Sequence, residues 1–208
     1  WTSAAASPGR NWTGSWNFTE SDTHRYNDNA IVILSSELAT AYQLEFEQMF
    51  TERRFGLSKR VASSPNKMEV AGATVEAYFA PADRKIVPRL VDLIDQARTS
   101  VHFLAFAFTH DRIGEAMRQA SKRGAQVAGV LERAGSETAA SEMASLRQAG
   151  IDVYQDANPY AMHHKVIIID NEIVITGSFN FSANAERVND ENLLVIHSSE
   201  VAQKYDEE

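Results

Sequence analysis

His163-His164-Lys165-Val166-Ile167-Ile168-Ile169-Asp170, followed by Ile173-Val174-Ile175-Thr176-Gly177-Ser178-Phe179-Asn180, decides how this chain is read. Val166 to Ile169 and Ile173 to Ile175 are apolar, β-branched runs joined at an Asp170-Asn171 turn, the pattern of two paired strands. Residues two apart on a strand face the same side, so His163 and Lys165 project together and His164 points away. An imidazole beside a fixed ammonium suits attack on a phosphodiester. The ammonium neutralises non-bridging oxygens while a neutral ring nitrogen acts as nucleophile. In the loop that follows, Gly177 permits close backbone approach, and Ser178 and Asn180 are hydrogen-bond donors for phosphate oxygens. Either segment alone reads as a half-exposed strand face or a turn; the specificity lies in their combination.

Outward from this pair, apolar strands and amphipathic helices alternate. Val75 to Phe79, Val101 to Phe108, Val127 to Leu131, Ile151 to Tyr154 and Leu193 to Ile196 read as strands. Lys85 to Arg98, Asp111 to Lys122, Glu137 to Gln148 and the segment after Ser198 read as helices, two of them closed by Gly124 and Gly150. This alternation predicts an α/β sandwich with a mixed, largely buried central sheet. Nearer the start, Ala30 to Leu34 reads as a strand. A helix capped by Ser35 or Ser36 follows, with Leu38, Ala41, Tyr42, Phe46, Met49 and Phe50 on one face. Arg54 to Lys67 is polar and reads as a linker.

The chain also repeats itself. Gly14-Ser15-Trp16-Asn17-Phe18-Thr19 resembles Gly177-Ser178-Phe179-Asn180-Phe181-Ser182. Arg25-Tyr26-Asn27-Asp28-Asn29 matches Arg187-Val188-Asn189-Asp190-Glu191 with a one-residue length difference, which sets Asn29 against Glu191. The expected organisation is a C-terminal remnant of a first module over 1–53, a linker over 54–73 and a complete module over 74–208.

His163-x-Lys165-x4-Asp170-x6-Gly177-Ser178-x-Asn180 resembles the HKD signature of the phospholipase D superfamily at every defining position. The likeness runs from about Tyr78 to the C-terminus and covers the first fifty residues in part. Ile167 to Ile196 looks most like the small bacterial nuclease branch. The resemblance implies a phospholipase D-like α/β sandwich and a metal-independent phosphodiesterase working through a phosphohistidine, with no cofactor. It implies His163 as nucleophile or acid and Lys165, Ser178 and Asn180 as phosphate ligands. Glu191 would orient the histidine, and Asp170 is the remaining signature residue, more often structural than a proton carrier. Nucleic acid is the expected substrate. A phospholipid, hydrolysed or transferred, is the alternative, and a phosphate-binding module without turnover is the rival from another class.

In the first copy only Ser15 and Asn17 remain as phosphate ligands. Ser7 falls at the Asp position, Thr2 at the Lys position, and the His position precedes Trp1. A chain beginning at Trp1 rather than Met reads as a processed product or a fragment. Three arrangements stay open: a homodimer pairing two copies of His163, the first copy docked on its own second module, or a first HKD motif on a preceding segment. The first two compete for one face.

Composition narrows the rest. Without cysteine there is no disulfide, zinc thiolate or thiol nucleophile. A net charge of -8 leaves nucleic-acid binding to a local basic patch. No apolar run reaches the ~20 residues of a membrane span. No exposed apolar run is evident near the motif, which favours a water-soluble substrate. His110, at a strand end, is a candidate for the site rim, and Glu132 could line the cleft. His102 reads as packed or edge-exposed, and His24 and His197 as surface residues. Trp12 and Trp16 read as core or as a stacking platform. The pairs Arg53-Arg54 and Lys59-Arg60 are candidates for phosphate contact.

Overall fold

The signature strand is apolar from Val166 to Ile169 because it is buried on both faces, as central strands of layered α/β sheets are. In the computed structural model, which describes residues 9–61 and 67–208, strand β8 (Lys165–Ile169) is buried throughout. Thr2 and Ser7 lie outside the described residues.

The first copy supplies β1 (Arg10–Gly14), α1 (Glu20–His24), β2 (Ala30–Leu34) and α2 (Ser36–Phe50). Then come β3 (Lys67–Val70), β4 (Ala73–Ala80), α3 (Ile86–Asp95), β5 (Ser100–Ala105), α4 (Asp111–Lys122) and β6 (Gln126–Leu131). α5 (Arg133–Ser136), α6 (Met143–Gln148) and β7 (Asp152–Gln155) precede β8. β9 (Ile173–Gly177), α7 (Ala183–Arg187), β10 (Glu191–His197) and α8 (Ser199–Asp206) complete the order. Eight strands form one mixed sheet, β3-β4-β10-β9-β8-β5-β6-β7, with β5, β6 and β7 parallel and the other pairings antiparallel. β1 and β2 form a separate antiparallel pair.

The main core lies under α3, α4 and α6, where Leu90, Ile94, Ile113, Met117 and Leu146 meet Phe103, Ile167, Ile175 and Val195. Each such side chain contributes about 1.5–3 kcal/mol on full burial. On the opposite face Leu38 and Tyr42 of α2 and Ile33 of β2 cover Val75, Phe79, Leu194 and Ile196. Ala202 of α8 covers Val166, Ile168 and Val174.

Four expectations change. The strand expected to reach Phe108 stops at Ala105; beyond it Phe106 N–H still bonds the His164 carbonyl (2.8 Å), and the chain then turns toward Phe181. The helix expected over Glu137 to Gln148 is shortened to α6: 137–142 are irregular, and around their start Ser136 and Thr138 spend their hydroxyls on local carbonyls, a competition that disfavours helix. The linker is partly structured: it holds a 3-10 turn at Gly56–Ser58, a buried Lys59 and β3. Phe46 and Phe50, expected on the buried face of α2, are exposed.

The two repeated stretches form the same backbone turn, in a register different from the one expected. Asn29 carbonyl accepts the N–H groups of Ser15 and Trp16 (both 3.0 Å), and Asn192 carbonyl accepts those of Ser178 (3.1 Å) and Phe179 (3.2 Å). Ser35 caps α2 and Ser198 caps α8. The two copies therefore align without a gap, Asn29 on Asn192 and Asp28 on Glu191. Replacement of the orienting Glu by Asn29 is corrected: the carboxylate is conserved between the copies as Asp28.

Candidate active site

The two copies meet about a pseudo-two-fold axis. Thr13 hydroxyl donates to Asn192 Oδ1 (2.6 Å), and in the reciprocal contact Asn29 Nδ2 donates to Thr176 Oγ1 (3.2 Å). Tyr42 hydroxyl adds a bond to Asn192 Oδ1 (3.0 Å). The face through which two copies of the chain would pair is thus filled by the chain's own first copy, as the second and the third arrangements both require. A homodimer pairing two His163 side chains through that face would have to displace it.

His163 sits just ahead of β8, where its N–H donates to Asn27 carbonyl (2.6 Å). Its ring meets the Phe106 ring edge-to-face at 4.6 Å, and Lys165 Nζ lies 4.7 Å from the centre of that same ring. The two side chains share one pocket, while His164 lies near Glu208 at 3.4 Å. Lys165 Nζ donates to His163 carbonyl (2.7 Å).

The tautomer of His163 follows from its partner. Nδ1 is 2.9 Å from Ser15 carbonyl, which only accepts, so Nδ1 carries the proton and Nε2 presents a lone pair. Asp22 Oδ1 lies 3.7 Å from Nδ1, placed to stabilise positive charge that develops on the ring. Burial and then the Lys165 charge push His163 down to about 4, so it is neutral at pH 7. Burial pushes Lys165 down to about 7 against the opposing pull of Glu191, Asp22 and Asp28. Burial and the adjacent Asp22 push the Asp28 carboxyl up to about 6. Burial of Asp22 itself is outweighed by bonds from Thr19 hydroxyl (2.5 Å) and Asn17 Nδ2 (2.8 Å), which hold its carboxyl below the usual range.

Ser178 hydroxyl donates to Glu191 Oε2 (2.5 Å) and accepts Asn192 N–H (3.0 Å). Asn189 Nδ2 holds the other Glu191 oxygen (3.1 Å). Asn180 Oδ1 is buried with no hydrogen-bond partner. Gly177 is required here: at φ 145° an added Cβ would lie 2.4 Å from Asn192 carbonyl.

Asp170 is elsewhere. It stands at the far end of β8, roughly 16 Å from Lys165 at ~3.3 Å per strand residue. Its carboxylate accepts the N–H groups of Arg98 (2.9 Å), Thr99 (2.7 Å) and Ser100 (3.0 Å), and its φ of 53° makes the turn to β9. Of the signature residues it is the one that stands away from the pocket, in the structural role expected of it rather than as a proton carrier. Ser15 and Asn17 are reassigned: Ser15 acts through its carbonyl, its hydroxyl accepting Asn29 N–H (3.0 Å), and the Asn17 amide is spent on Asp22. His110 is buried against Glu186 (3.2 Å), and Glu132 caps α5 through Gly135 N–H (2.7 Å), so neither lines the site. Asp22, Asp28 and Phe106 were not found by sequence reasoning. Asp28 was within reach, one residue from the position chosen.

Residues 90–208 match the family described as cardiolipin synthase, PLD-like domain. The chain is 33% identical over 160 residues to a protein named phospholipase D from Rickettsia conorii, covering 77% of this chain and 80% of that one. It is 34% identical over 128 residues to human mitochondrial cardiolipin hydrolase, covering 62% of this chain and 51% of that one. The crystal structure of Nuc, a phospholipase D family member from Salmonella typhimurium, superposes with a TM-score of 0.61 at 34% identity over 65% of this chain and 90% of that one. The chain belongs to the phospholipase D superfamily. It is a phosphodiester hydrolase of that superfamily.

Proposed function

We propose that the protein hydrolyses the headgroup phosphodiester of a glycerophospholipid through a phosphohistidine at His163. The observation that carries the chemistry is the pinned Nδ1–H, which leaves Nε2 of a neutral His163 free beside Lys165. Nε2 attacks phosphorus, the bond to the headgroup oxygen breaks, and that oxygen takes a proton from Asp28. Lys165 and the Asn180 amide hold the non-bridging oxygens. Water then attacks the phosphohistidine, Asp28 takes its proton, and His163 departs with its lone pair restored. Asp22 stabilises the charged ring between the two steps.

The lipid reading draws on the curated relatives, named phospholipase D and cardiolipin hydrolase. It takes precedence over the nucleic acid expected from the motif. Phosphatidylcholine and plasmid DNA are offered separately to the protein in EDTA. Phosphatidic acid and free choline are expected from the wild type and not from His163→Ala. Nicked plasmid with intact lipid would return the reading to nucleic acid. Binding of either without turnover would leave a phosphate-binding module.

A further inference from the structure

Arg53-Arg54-Phe55-Gly56-Leu57-Ser58-Lys59-Arg60 takes no part in the pocket of His163. Lys59 is turned inward, its ammonium paired with Glu45 and Asp190 and donating to Ala80 carbonyl (2.8 Å). Gly56 N–H donates to Asp190 Oδ1 (2.9 Å). Asp190 immediately precedes Glu191, so these bonds fasten the segment to the rim of the active site and leave Phe55 and Leu57 pointing outward, each more than half exposed. Beside them, Phe46 and Phe50 at the end of α2 stack on each other at 5.1 Å and are exposed. Phe46, Met49, Phe50, Arg53 and Phe55 line one open groove with Asp190. Leu57 shares the next depression with Arg84 and Arg187, and the neighbouring Val188 is exposed. The apolar run that sequence reading did not find near the motif is assembled here from separate elements.

We infer that this aromatic face, rimmed by Arg53 and Arg84, seats the protein on an anionic phospholipid bilayer and brings the loop 188–190 and the pocket behind it to the headgroup layer. The inference rests on the lipid reading above. Its warrant is charge complementarity at one place on an otherwise acidic chain of net charge -8. Lys59 is shared between Glu45 and Asp190, Arg54 pairs with Glu52 (3.0 Å) and Arg187 with Glu186 (3.3 Å), so Arg53 and Arg84 are the cations the face presents beside its aromatic rings. That composition suits the boundary of a membrane, where rings enter the acyl edge and guanidinium groups meet phosphates.

The test uses the inactive His163→Ala chain and sedimentation with phosphatidylcholine vesicles, with and without phosphatidylglycerol. Binding is expected with the anionic lipid, and Phe50→Ser/Phe55→Ser in the same background should weaken it about tenfold or more. In the active chain that double substitution should lower hydrolysis of vesicles and leave hydrolysis of a short-chain, monomeric phospholipid unchanged. Equal vesicle binding by wild type and double variant overturns the docking surface, as does a dimer of the wild type that the double variant dissolves. If vesicles bind through the patch while the short-chain lipid is not cleaved, the surface stands and the lipid-hydrolase reading fails. If the short-chain lipid is cleaved and vesicles do not bind, the reverse holds.

Discussion

Two stretches of this chain, Gly14 to Ser35 and Gly177 to Ser198, share a backbone and differ in what surrounds them. Both open on a glycine, at φ 147° and 145°, and both close on a serine that caps a helix. Yet Phe18 is 63% exposed where Phe181 is 1%, and Val32 is 51% exposed where Val195 is fully buried. Trp12 and Trp16, half-buried and stacked at 5.2 Å, correspond to the buried Ile175 and Phe179. The second copy is roofed by α3, α4 and α6, and the described residues hold no equivalent layer over the first. Local hydrogen bonds are thus enough to repeat a turn, whereas burial depends on a partner layer. The first copy keeps what faces the axis: Ser15 carbonyl and Asp22, directed at the histidine of the second, and Asp28, which acts on Asp22 and Lys165.

The contrast is tested most severely at the chemistry. His163→Ala should reduce turnover by roughly 10³-fold or more while the fold persists, because nucleophile and proton donor lie in different copies. Residual turnover near the wild-type level in a folded His163→Ala protein would break the assignment. For packing, Phe181→Ala should cost about 3–5 kcal/mol in urea unfolding and Phe18→Ala no more than about 0.5 kcal/mol. Equal losses would mean that the first copy is covered as the second is.

Asp28→Asn should lower kcat/KM by about 10²-fold with little change in stability, and would show that the first copy still serves catalysis. The same groups set the pH profile. His163 must be neutral, so activity appears as pH rises through about 4. Asp28 must begin protonated and Lys165 charged, so activity falls as pH rises through about 6 to 7. A profile still rising at pH 8 would remove Asp28 from the acid role. Asp170→Ala should do least to the chemistry: a loss of about 1–3 kcal/mol in stability as the N–H groups of Arg98, Thr99 and Ser100 lose their acceptor, with unchanged turnover per folded molecule.

What the residues alone determined was periodic and local. Four β-branched residues in a row announced a strand buried on both faces. Spacing by two set His163 and Lys165 on one side, and Gly177 and Gly14 marked turns where a side chain has no room. The roles of Asp170, Asn17 and Lys59 had no such signature. A carboxylate, an amide or an ammonium at a strand end or in a loop meets its partner only once distant segments close together. Which copy's carboxylates face the histidine, which phenylalanines of α2 stay exposed, and how the charges of the site shift one another are consequences of packing. Burial and long-range pairing set them, and neither is a property of sequence separation.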